Sequence, residues 1–127
     1  MQTKELKVMV LGPNCGKTTF VKSINNIDYN YSNSTLGCEV TPYELYTNNG
    51  KRRIIFWEVG SQYQGLKDKY CIDTSFAIIF KNNSDDHLEF ENWLSYNIPR
   101  IYVENYNILD NEYIIQNIKN TIVENLL

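Results

Sequence analysis

A chain of 127 residues with a net charge of −3 and a pI near 5.1 is long enough to bury one core, and is read as a single domain. Its densest basic cluster is Lys51-Arg52-Arg53, too little for a general nucleic-acid surface, and no stretch approaches the roughly 20 apolar residues of a membrane span. Three scattered cysteines (Cys15, Cys38 and Cys71) lack metal-ligand spacing and suit a reducing interior, so a soluble intracellular monomer is expected, cytoplasmic or nuclear.

The N-terminal MQTKELK has no apolar core of a secretory leader, and VENLL at the C-terminus carries no lipidation cysteine. Val8 to Leu11 then reads as a buried strand. Gly12-Pro13-Asn14-Cys15-Gly16-Lys17-Thr18-Thr19 follows, a Gly-bounded loop opening a helix. That order is the setting of a phosphate-binding P-loop, because loop amides and a helix N-terminus together favour an anion. Gly16 lets the backbone approach a phosphate, Lys17 can reach the β- and γ-phosphates, and Thr18 offers a hydroxyl to Mg²⁺. The candidate nucleotide-binding set here is Gly12, Asn14, Cys15, Gly16, Lys17, Thr18 and Thr19. Only Pro13, Asn14 and Cys15 separate the glycines, one residue fewer than usual, and Pro13 has no N–H, so the cradle is a donor short. A chance Gly-Lys-Thr after an apolar strand is the plainer alternative. Cys15 at a helix N-terminus is either a redox-sensitive thiolate or a small residue tolerated in a tight loop.

Thr18 to Ile24 is expected to be a short helix with Phe20, Val21 and Ile24 inward, stopping at Asn25-Asn26. Asp28 to Ser34 is polar and reads as a loop. Cys38 to Thr47, with alternating apolar residues and Pro42, reads as an edge strand. Asn48-Asn49-Gly50 turns it into a more buried strand, Ile54 to Val59. Lys51-Arg52-Arg53 is read as solvated hairpin charge first and a partner contact second. Gly60 to Lys69 is a loop with a turn of helix, and Phe76 to Phe80 a further buried strand. Asp85 to Tyr96 has Leu88, Phe90, Trp93 and Leu94 partly at helical spacing, with Trp93 in the core rather than on a binding face. Ile101 to Val103 is a short strand. Asp110 is expected to cap a last helix whose stripe is Ile114, Ile115, Ile118, Ile122 and Leu126. Strands recurring between helices predict an α/β domain, a mostly parallel sheet with one antiparallel hairpin strand and helices on both faces.

TTFVK, TLGCEVTP, TNNG, WEVGSQ, and GLKDKYCI followed by AIIF occur in one order, near the spacing a known family uses. Together they resemble a small GTPase of the Ras superfamily, specifically its Ran branch of nuclear transport, over about Leu6 to Tyr106. The resemblance implies a P-loop NTPase-type fold reduced to a minimal G domain over 1–127, with GTP or GDP and Mg²⁺ as ligands. It makes Lys17 the phosphate lysine, and Thr18, Thr35 and Glu58 the metal ligands, Thr35 meeting Mg²⁺ only in the triphosphate state. It makes Gln62 the residue that orients the attacking water. Thr35 and Gln62 are otherwise ordinary loop residues.

Two motifs depart from the family. Its Asp-x-x-Gly becomes Glu58 with Ser61 in the glycine place, a methylene too long for a metal that demands regular octahedral geometry. Its Asn-Lys-x-Asp maps onto Asn105-Tyr106-Asn107-Ile108, so the guanine-reading carboxylate is lost unless Asp110 replaces it. Too little chain follows Asn107 for the helix–strand pair that usually precedes the last helix. Tyr29 or Tyr31 is a candidate for stacking on a base. An Asn-, Ile-, Tyr- and Lys-rich chain suits an AT-rich genome, such as a virus acting in a host cell.

Three functions compete. One is a Ran-like GTPase that hydrolyses GTP slowly, with Gln62 and Lys17 catalytic, and switches protein regulators or effectors. The second is a degenerate Ran mimic that engages transport factors with weak or no nucleotide. The third is a nucleotide kinase, disfavoured because only Arg52, Arg53 and Arg100 are present for its lid and monophosphate sites.

Overall fold

The computed structural model describes residues 5–13, 16–25, 38–48, 50–60 and 67–125. Asn14, Cys15, Thr35, Ser61, Gln62 and the 28–34 loop with Tyr29 and Tyr31 lie outside the described residues, as do Asn49 and the side chains of Ile122 and Leu126.

The strands are β1 (Leu6–Leu11), β2 (Cys38–Thr47), β3 (Gly50–Val59), β4 (Phe76–Lys81) and β5 (Arg100–Glu104); the helices are α1 (Lys17–Ile24), α2 (His87–Glu91) and α3 (Asn111–Asn125). They form one mixed sheet in the order β2-β3-β1-β4-β5, parallel except for the β2–β3 hairpin. The domain is therefore α/β with a mostly parallel sheet, as the alternation of elements predicts.

The stretches Val8–Leu11, Ile54–Trp57 and Phe76–Phe80 of the central strands are apolar because both sheet faces are covered there. Val8, Val10, Ile54, Phe56, Phe76, Ile78 and Phe80 pack with Phe20 and Val21 of α1 and Ile114 and Ile118 of α3. Met9, Leu11, Ala77 and Ile79 point the other way, against Phe90 of α2, Trp93 and Leu94. The two-residue period places Glu58 on the same face as Ile54 and Phe56, beneath α1.

Some boundaries differ from expectation. β3 begins at Gly50 rather than Ile54, because the charged run still pairs residue by residue with β2, with Lys51 Nζ 3.4 Å from the Glu44 carboxylate. The expected helical turn before β4 is a 3₁₀ segment, Lys67–Cys71. α2 is shorter than Asp85–Tyr96. After Glu91 the chain tightens through Trp93 N–H to Phe90 O and Leu94 N–H to Glu91 O, which turns Trp93 and Leu94 inward and leaves Leu88 exposed.

Asp110 is not the cap of the last helix. Asn107, in extended conformation, caps a 3₁₀ turn (Ile108–Asp110) that runs into α3, accepting from Leu109 N–H at 2.9 Å. The Asp110 carboxylate reciprocates by accepting from Asn107 N–H at 3.1 Å. This is a capping box, in which the third residue supports the first. Among the described residues no strand intervenes between β5 and α3.

Candidate functional site

β1, β3, β4 and β5 are parallel, so their C-terminal ends share one edge of the sheet. The connection leaving β1 runs toward β3 and that leaving β4 runs toward β5. Diverging connections open a crevice between adjacent strands, the usual ligand position in such sheets. Gly12, Glu58, Lys81-Asn82 and Asn105 stand at these strand ends.

Gly12 adopts φ 130° beside the end of β4, where a Cβ would collide with the Phe80 backbone. The loop is thereby fastened to the end of β4. Gly16 at φ 111° precedes α1 and provides no side-chain cap for it. Lys17, only 4% exposed, turns back over the loop, its Nζ donating to Gly12 O at 2.6 Å and Pro13 O at 2.8 Å. A buried ammonium needs such partners, and these hold its charge beside the loop's backbone. Thr18, in the first turn of α1, donates from Oγ1 to Glu58 Oε2 across the interface with β3. Glu58 is 3% exposed. Hydroxyl and carboxylate in contact offer hard oxygens of the kind Mg²⁺ takes, and such sites ordinarily use one or two carboxylates completed by phosphates and water. Among the described residues no group of three or more His, Cys, Asp or Glu gathers as a metal cluster.

An open groove of about 590 Å³ adjoins this loop, lined by Gly16, Thr19, Lys81, Asn82, Asn105, Tyr106, Asn107 and Ile108. Asn105 is exposed and left-handed at φ 48°, a conformation asparagine tolerates, and its N–H donates to Lys81 O at 3.1 Å. The Tyr106 ring lies on Gly16, where an added Cβ would stand 2.5 Å from the ring. Edge contacts to Phe20 and Phe80 and a 2.6 Å hydroxyl bond to Asn111 fix that ring. Ile108 is on the groove wall. Asp110 lines a different groove, between β5 and α3.

The structure thus brings Gly12, Gly16, Lys17, Thr18, Thr19, Glu58 and Asn105 to one end of the sheet. Asn14, Cys15, Thr35 and Gln62 lie outside the described residues. Sequence reasoning missed Lys81 and Asn82, although their place just after the apolar run of β4 was a usable signal. It also missed Tyr106 as the cover of Gly16, a contact across 90 positions that no local pattern encodes. Cys38 opens β2 opposite Val59, and burial pushes its thiol pKa up, with the Glu58 carboxylate adding to the shift against the opposing pull of Lys7. No protein-family model matches the chain.

Proposed function

We propose that the chain is a minimal P-loop GTPase of Ran-like type, binding GTP or GDP with Mg²⁺, hydrolysing GTP slowly and switching protein partners. The observation that carries this reading is the buried Lys17 held on the carbonyls of Gly12 and Pro13, one residue before the Thr18–Glu58 contact. In this reading Lys17 stabilises charge on the β- and γ-phosphates, and Gly16 permits their close approach. Thr18 and Glu58 hold Mg²⁺, with Thr35 joining them in the triphosphate state. The metal supplies charge neutralisation on the phosphates when bound. Gln62 orients the water for in-line attack, and Asn105 faces the base in the adjoining groove. Regulators or transport factors meet the segments around Thr35 and Gln62 in the cytoplasm or nucleus.

A second reading, a mimic that engages the same factors with little nucleotide, is favoured by one observation. Ile108 occupies the groove wall while the Asp110 carboxylate serves Asn107 N–H and lines another groove. Among the described residues that line this groove there is no Asp or Glu to meet a guanine edge. Chromatography of nucleotide released on denaturing the purified protein separates the two. Guanine nucleotide supports the first reading; a nucleotide-free protein that takes up neither GDP nor GTP supports the second.

A further inference from the structure

Among the described residues β5 ends the sheet, with no strand on its outer side. Its pairing with β4 settles which backbone groups that edge exposes. Ala77 N–H donates to Pro99 O at 3.0 Å and Asn105 N–H donates to Lys81 O at 3.1 Å. In a parallel pair the N–H and C=O of one residue point to the same neighbour and successive residues alternate. Pro99, Ile101, Val103 and Asn105 therefore face β4, and Arg100, Tyr102 and Glu104 present their N–H and C=O groups outward. Among the described residues no strand pairs with them. The opposite sheet edge, β2, carries Pro42, which lacks a donor and blunts pairing. Proline is absent from β5 itself.

The outward residues are self-complementary. Placing two β5 strands antiparallel about Tyr102 sets Arg100 of each opposite Glu104 of the other, so every outward N–H and C=O in the pair meets a partner. Ile101 then lies across from Val103 on the α3 side. Both charges are held in place: Arg100 donates to Ile98 O at 3.1 Å and Ser95 O at 2.6 Å, and Glu104 pairs with Lys81 Nζ at 3.1 Å. Beside the edge runs a groove of about 480 Å³, walled by Ile101, Val103, Tyr113, Ile114 and Asn117. Tyr113 is 74% exposed there, and Tyr102 is 45% exposed on the other side of the strand. We propose that this edge binds a second copy of the chain, the two β5 strands pairing antiparallel about Tyr102 into one continuous two-fold symmetric sheet. A dimer replaces the monomer expected from the sequence. The proposal does not rest on nucleotide binding, because Arg100, Tyr102 and Glu104 are not among the residues that line the groove beside Gly16.

Sedimentation equilibrium over a wide concentration range tests it, with melting temperature as the fold control. Wild-type protein should show a monomer–dimer equilibrium. Symmetry makes each substitution count twice, so Arg100→Glu or Glu104→Arg should weaken the dimer roughly ten- to a hundredfold by opposing like charges. The double variant Arg100→Glu/Glu104→Arg should return it to within a few-fold of wild type. Tyr102→Pro removes an outward N–H without touching the β4 ladder, and should leave a folded monomer. A wild-type monomer at every concentration overturns the proposal. So does a dimer indifferent to the charge reversals and to Tyr102→Pro.

Discussion

Replacing Ile108 by Asp should change which base the groove prefers. Ile108 is half-buried on the wall shared with Gly16, Asn105 and Tyr106, so a carboxylate at that position faces the same space. The fold should accept it, since position 108 opens the 3₁₀ turn before α3, where an acid is favoured by the helix dipole. Guanine offers two N–H donors on the edge a carboxylate would meet, and leaving such a donor unpaired costs about 1–3 kcal/mol. GTP affinity should therefore rise roughly ten- to a hundredfold. ATP should gain nothing, because adenine presents a ring acceptor on the corresponding edge. The wild type should prefer GTP over ATP by at most about a hundredfold, for the same missing contact. Displacement of a fluorescent nucleotide by GTP and ATP, on both proteins, measures these ratios. An unchanged ratio in Ile108→Asp, or a wild-type preference of many thousandfold, would refute the assignment of this groove to the base.

Gly12→Ala should destabilise the fold by about 4 kcal/mol, combining left-handed strain with a clash against the Phe80 backbone, whereas Gly16→Ala should cost about 1–3 kcal/mol because the Tyr106 ring can shift; urea denaturation compares them. Asn107→Ala removes the cap on the turn into α3 and should cost about 1 kcal/mol, read as a lower urea midpoint with an unchanged slope. GTP turnover without a partner should stay at or below about 10⁻³ s⁻¹, since Glu58 is a longer acid than usual and no arginine lies in residues 12–35; phosphate release in single turnover checks it.

The sheet was legible because its central strands, buried on both faces, must be written as continuous apolar runs, and β2 was delimited correctly by its Pro42-bearing alternation and the Asn-Gly turn. The start of β3 was not, because Lys51, Arg52 and Arg53 carry no apolar signal and their strand conformation comes from the partner strand. An acid before an apolar stripe suits either the cap or the third position, so Asp110 reads as a cap from the sequence, and only the Asn107 backbone decides between them. The place of Lys17 and Thr18 at the start of α1, after the glycine-bounded loop, is legible from spacing alone. Their partners on Pro13 and Glu58, and the seating of Tyr106 on Gly16, depend on how distant segments meet, which no single stretch records.

In the proposed function the loop carrying Lys17 binds nucleotide phosphates. Calorimetric titration of GDP with Mg²⁺ into wild-type protein and Lys17→Ala tests it most directly, with circular dichroism showing that the variant keeps its fold. A saturable heat in the wild type that vanishes in Lys17→Ala is the expected result. Equal binding by the two proteins would contradict the claim.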